Sequence, residues 1–462
     1  MSESQPLDIL QTRSGVQAAV LAAETAWRTQ EPDQLIAALQ EVDRWLQALP
    51  TERVVDGSGA PDPADELAGE RQQLWLWRGR LLVMADKSEV VVQGLHSLDQ
   101  AIARLQAAGG RADAQEALVV AWMNRGSGLF RLGERESLSE GVRAYDQAIN
   151  VLERLPGADR NVLGAAWMNR GVGLMHLESG YEPKETLAAR LADAAKSFDN
   201  AVAALEPLAV GGDEAAQRNL ASAWANLGIL RGRLGDAAGA LAAHRKAVDL
   251  FRPIAAEGGA SGIFELAARL FNLGQACGAS GDTAEGVAAG REALALAMQV
   301  AEGNAQAGEL VARARHAICV ALGALISGGA RDGEERAGRI AEAGDLVEDG
   351  LAALALRAGN ATDGEKAAGE RLYEFGAWLY RTQQPQFLGE FLLEHLGEET
   401  GRARIAAAAV QAARQGLVQR DFNDTSHGDM NRVLDTLQDL GAVEARYREI
   451  LSRAMPVEPN RK

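Results

Sequence analysis

A glycine recurs seven times along this chain, each time four residues after a bulky or apolar residue. The pairs are Trp75/Gly79, Trp122/Gly126, Trp167/Gly171, Trp224/Gly228, Leu270/Gly274, Cys319/Gly323 and Leu372/Gly376. Successive starts lie 47, 45, 57, 46, 49 and 53 residues apart. Self-similarity at such a period predicts a stack of helix pairs. Glycine inside a helix costs about 1 kcal/mol relative to alanine, so seven at one register need a compensating close approach between helices. A second helix follows each first one and repeats its own triplet. The sets are Gly94/Leu98/Ala101, Gly141/Tyr145/Ala148, Ala194/Phe198/Ala201, Ala240/His244/Ala247, Gly286/Gly290/Ala293 and Ala343/Val347/Gly350. Spacings of four and seven put each triplet on one helical face.

A chain of 462 residues exceeds the usual single core, but repeats that touch only their neighbours escape that limit. The 64 acidic residues outnumber 47 basic ones, for a net charge of −17. Such a surface repels phosphate backbones and argues against a nucleic-acid partner. The two cysteines, Cys277 and Cys319, sit in apolar helical runs and read as small core residues of a cytoplasmic protein. The N-terminal stretch has neither the basic nor the apolar region of a signal peptide. No uninterrupted apolar run approaches the ~18 residues of a membrane span, so no membrane partner is expected.

Residues 1–13 read as a disordered N-terminus, 14–49 as a helix pair opened in its second half by Pro32, and 50–69 as a loop or linker rich in proline and glycine. Trp27 and Trp45 are expected to pack across the first pair. The repeats occupy 70–396, with glycine-rich loops at 327–335 and 358–369. Residues 397–462 read as polar capping helices and a tail.

The stretch 223–253, AWANLGILRGRLGDAAGALAAHRKAVDLFRP, resembles the tetratricopeptide repeat. Trp224, Leu227, Gly228, Gly235, Ala240, Ala247 and Pro253 take the signature places, while Arg231 and His244 depart from the usual aromatics. The likeness covers about 70–396. It implies an all-α, right-handed solenoid of about seven helix pairs whose concave groove binds protein or peptide. The unit of that family has about 34 residues. The surplus here lies between the triplet and the next start, and predicts second helices longer by a turn or more, as in long-repeat members of the family.

Little proposes chemistry. The six histidines are scattered, and no HExxH, CxxC or phosphate-loop motif exists, so no metal, cofactor or catalytic group is expected. The run Asp421, Asn423, Asp424, His427, Asp429 lacks the glycine and distal glutamate of a calcium loop and reads as a solvated turn. The GxG pieces at 126–128 and 171–173 lie inside helices and are not phosphate loops.

The informative constellation is an asparagine register two residues after four consecutive starts: Asn124, Asn169, Asn226 and Asn272. Asparagine is a poor interior helix residue because its amide competes with the backbone. Facing a groove, each amide would offer an acceptor and two donors to an extended peptide. Bonding to a neighbouring helix remains the alternative. The resemblance implies the groove reading, since peptide-binding members of the family carry groove asparagines at this register. Met123, Met168 and Phe271 precede three of them. Arg131, His176 and Arg233 follow by seven and would make the groove locally basic, suiting a peptide with acidic side chains or a free carboxylate. The expected role is a non-catalytic cytoplasmic adaptor, or alternatively an obligate subunit whose groove is permanently filled.

Overall fold

A computed structural model of the chain describes residues 9–49, 66–177, 183–328, 333–357 and 360–383. Among them the only regular elements are fifteen α-helices. These are α1 (Ile9–Thr29), α2 (Pro32–Ala48), α3 (Ala68–Leu82), α4 (Ser88–Ala107), α5 (Ala112–Leu132), α6 (Arg135–Arg154), α7 (Arg160–His176) and α8 (Lys184–Val210). Then follow α9 (Glu214–Arg233), α10 (Ala237–Ala255), α11 (Gly259–Ser280), α12 (Thr283–Gln299), α13 (Ala305–Ser327), α14 (Gly333–Leu356) and α15 (Asp363–Gln383). Local chemistry sets many ends. Pro32 opens α2, where its missing N–H is no loss. Asp159 caps α7, its carboxylate accepting from the Asn161 backbone N–H at 2.8 Å. Gly133 and Gly281 close α5 and α11 in the left-handed conformation that other residues adopt at a cost.

The chain divides into two compact units, residues up to Leu230 and residues from Arg231. Within the first, α3 packs on α4, α5 on α6 and α7 on α8, and successive pairs pack on each other. Within the second, α11 packs on α12, and α13, α14 and α15 pack together. The triplets are the buried face: Leu98, Ala101, Tyr145, Ala148, Phe198 and Ala201 in the first unit are all sealed from solvent, as are Ala293, Ala343 and Val347 in the second.

The glycine register allows the close approach expected of it. A Cβ at Gly126 would stand 2.7 Å from the Tyr145 ring, and one at Gly171 would stand 2.8 Å from Phe198. The second glycine of each GxG faces the other way. A Cβ at Gly128 would meet Val83 at 2.8 Å, and Gly173 abuts Phe130 and Val142. GxG therefore lets a first helix approach both its own partner and the preceding pair.

Several boundaries differ from expectation. Residues 9–13 belong to α1, and α3 begins at Ala68 with Leu67 fully buried before it. Glycine-rich 333–335 and 363–369 are helical in α14 and α15. The surplus period is not confined to second helices. The first helices α5, α9, α11 and α13 begin at Ala112, Glu214, Gly259 and Ala305. Those starts precede Trp122, Trp224, Leu270 and Cys319 by roughly three to four helical turns. Apolar residues in those early turns, such as Leu118 and Leu220, extend the buried face backward. Helix α13 is long and apolar enough to span a membrane by composition; its apolar face packs among α12, α14 and α15. Residues 1–8, most of the 50–69 linker, the end of the 70–396 repeat region and the 397–462 cap lie outside the described residues.

Candidate functional site

The four asparagines lie on first helices: Asn124 on α5, Asn169 on α7, Asn226 on α9 and Asn272 on α11. All four are half-buried. The Asn124 Nδ2 donates to the Val120 carbonyl of its own helix at 2.7 Å. The amides of Asn169, Asn226 and Asn272 make no side-chain hydrogen bond among the described residues. The alternative of a bond to a neighbouring helix is therefore not what these three do. A different pair makes that bond: Asn219 Nδ2 of α9 donates to Asn161 Oδ1 of α7 at 2.7 Å. Consecutive first helices of the first unit thus lie side by side, with polar side chains between them.

The flanking residues divide. Met123 and Met168 are half-buried and lean on core clusters. Phe271 is 4% exposed, with the Arg313 guanidinium 4.9 Å above its ring. It is a packing residue, not a groove flank, because one step back from Asn272 rotates the side chain around the helix toward α13. Arg131 Nη2 donates to the Ala85 carbonyl at 3.2 Å and to Asp86 at 3.3 Å, tying α5 to the preceding hairpin. His176 and Arg233 are exposed at the ends of α7 and α9. Among the described residues no three His, Cys, Asp or Glu side chains converge as a metal-binding set. The 421–429 run lies outside them. Cys277 and Cys319 are buried free thiols, and burial pushes them up to about 11 and about 12, which makes them inert.

Sequence reasoning missed a second repeating device. Three residues after each of the first three tryptophan starts stands an arginine, in the pairs Trp75/Arg78, Trp122/Arg125 and Trp167/Arg170. The guanidinium carbons lie 6.0, 5.9 and 5.7 Å from the respective tryptophan ring centres, within range of a cation–π attraction. Each arginine reaches two second helices. Arg78 donates to Asp43 of α2 at 2.6 Å and Ser97 of α4 at 2.7 Å. Arg125 pairs with Asp99 of α4 at 2.8 Å and Glu140 of α6 at 3.6 Å. Arg170 pairs with Asp146 of α6 at 2.6 Å and Asp193 of α8 at 2.9 Å, and donates to Ser197 at 2.7 Å. Burial pulls the Arg170 pKa down most, but its bonds to Asp193 and Asp146 together hold it above the ordinary value. The tryptophans are accordingly half-buried platforms at pair junctions, packed against the core clusters. Trp77, by contrast, sits at the asparagine register of α3 and is buried beneath Arg80.

Helix pairs closed on small residues, with second helices packed on the next first helix, decide the architecture. The repeat is tetratricopeptide-like. No family model matches the chain, and a search of curated proteins found no match. Among solved structures, the chain is similar to the apo form of RapI at 9% identity, covering 95% of this chain and 97% of that one, with a TM-score of 0.49. It is similar to the apo quorum sensor NprR from B. thuringiensis at 12% identity, covering 95% and 98%, with a TM-score of 0.44. A Rap protein complexed with Competence and Sporulation Factor matches at 13% identity over 95% and 99%, with a TM-score of 0.43. At these values no role of those proteins transfers to this chain.

Proposed function

We propose that the chain is a non-catalytic binding module that holds an extended peptide segment on the first helices of its first unit. One observation carries this reading: the half-buried amides of Asn169 and Asn226 bond nothing in the fold. An amide drawn partly out of water without a partner costs free energy, and an extended peptide backbone supplies both a donor and an acceptor to satisfy it. The amide of Asn124 joins with the N–H and the oxygen that its Val120 bond leaves over. Asn272 repeats the arrangement in the second unit, as a site of its own.

A backbone reader of this kind is indifferent to most side chains. Preference comes from the edges. His176 favours acidic side chains or a terminal carboxylate, and Arg131 joins it by exchanging Asp86 for a ligand carboxylate. Met123 and Met168 offer adaptable apolar contacts.

Selection of random peptides on the immobilised full-length protein tests the reading. It expects binders that share extended, proline-poor backbones and an acidic bias, with no fixed side-chain motif. Recovery of no peptide, or only of amphipathic helix formers, would refute it.

A further inference from the structure

The second unit holds a cavity of about 250 Å³ enclosed by α12, α13, α14 and α15. Its walls are largely apolar, with Met298, Val311, Leu354 and Leu372 among them, and three charged side chains, Arg315, Arg357 and Glu365, line it too. Arg315 as a residue is 8% exposed, and its Nε is buried with no hydrogen-bond partner. Among the described residues the one acceptor it meets is the Asp349 carbonyl, 3.4 Å from Nη1. No carboxylate forms an ion pair with it among the described residues. Desolvation pulls its pKa down, and the charge of Asp349, acting at a distance, only partly offsets this.

An arginine cannot shed its proton to escape burial, and a desolvated cation with no paired anion is costly. The nearby carboxylate of Glu365 is already committed. It accepts from Arg357 Nη1 at 2.7 Å and from the Thr362 backbone N–H at 2.7 Å, closing the N-terminus of α15. Glycine lets the cavity walls pack closely beside Arg315. A Cβ at Gly350 would lie 2.6 Å from Leu372 and 3.4 Å from Arg315 Cδ, and one at Gly308 would lie 2.7 Å from Glu365.

We propose that this cavity is a binding site for a small aliphatic monocarboxylate, its carboxylate paired with Arg315 and its chain lying against Val311, Leu354, Leu372 and Met298. The volume equals roughly eight waters at ~30 Å³ each, which suits a ligand of about eight non-hydrogen atoms, such as hexanoate. The carboxylate supplies the missing charge, and the planar guanidinium receives it through two parallel bonds. The chain fills a space too apolar to hold ordered water well.

The test is calorimetric titration of the full-length protein with sodium hexanoate, with hexanol as the neutral twin. Hexanoate binds saturably at one site and the alcohol does not. Arg315→Met weakens hexanoate by about tenfold or more, the loss expected for a charged hydrogen-bonded pair. Ala312→Leu, which narrows the cavity and leaves the charge, also weakens it. Absence of hexanoate binding, equal binding of the alcohol, or unchanged binding by Arg315→Met would each overturn the assignment. Should Arg315→Met fail to fold, the acid–alcohol comparison on the native chain and the Ala312→Leu titration decide. Neither result bears on the asparagines of the first unit.

Discussion

The two units solve the same packing problem differently. In the first, large side chains of second helices sit on first-helix glycines: Leu98 on Gly79, Tyr145 on Gly126, Phe198 on Gly171. Tryptophan–arginine pairs then bolt α3, α5 and α7 each to two second helices. In the second unit the α11–α12 pair closes backbone on backbone, a Cβ at Gly274 lying 3.1 Å from the Gly286 carbonyl and one at Gly286 equally close to Gly274, while Gly323 of α13 still meets the Phe375 ring. Its ion pairs run between second helices, Arg245 to Glu285, Arg252 to Glu292 and Arg291 to Glu342, all substantially exposed. At the triplet register it keeps His244 where the first unit has Tyr145 and Phe198, and its Arg315 lines a cavity. The difference teaches that one small-residue register can be closed either by a buried ring and a half-buried cation, or by bare backbone and surface charge.

Overpacking should expose the contrast most strongly. Gly171→Leu drives a side chain into Phe198 and should destabilise by about 3 kcal/mol, the upper end for such changes. Denaturant unfolding measures it, and an unchanged midpoint would mean the ring is free to move away. Next comes pH. Burial pulls His244 down to about 4 from an ordinary 6.5 and also lowers His316. A histidine whose folded pKa is depressed contributes stability that is complete above its ordinary pKa and is lost as pH falls toward the folded one. The loss should reach about 2–3 kcal/mol for His244, and His244→Phe should flatten that part of the profile. A profile unchanged by the substitution would show that the two interiors do not differ as described.

The charge devices differ less. Arg170 is only 14% exposed and holds three groups. Arg170→Ala should therefore cost about 1–2 kcal/mol, a figure below the value for fully buried pairs because both aspartates are partly solvated. Arg291→Ala, at the exposed pair with Glu342, should cost under about 1 kcal/mol. Thermal melts in low and high salt separate them, since only the exposed pair is strongly screened. Equal losses would erase the distinction between bolt and surface charge.

Much of the architecture was legible because small residues at fixed spacing have few explanations. A close approach at Gly126 and Gly171 could be read from the sequence alone, but not that the rings of Tyr145 and Phe198 would seat there. What escaped was the direction of the second glycine in each GxG and the early start of first helices, since Leu118 and Leu220 read as ordinary apolar residues outside the signature. The arginine bolts were visible as Trp-x-x-Arg at three consecutive starts, but one arginine on a helix looks like any solvated charge until its two partners converge. Phe271 shares the register of Met123 and Met168 but not their exposure, because Arg313 of α13 covers it. The asparagine register was readable; that Asn169 and Asn226 would be left without partners, while Asn124 turns back on its own helix, was not.

The central claim, that free amides read a peptide backbone, rests on Asn169 and Asn226, and the double variant Asn169→Ala/Asn226→Ala tests it most directly. Each lost bond should cost about 0.5–1.5 kcal/mol, so affinity of the full-length protein for a selected peptide should fall roughly 5- to 150-fold if the two add. The unfolding midpoint should barely move, because neither amide has a partner in the fold. Undiminished binding joined to an early melt would contradict the account, and would make the two asparagines part of the scaffold.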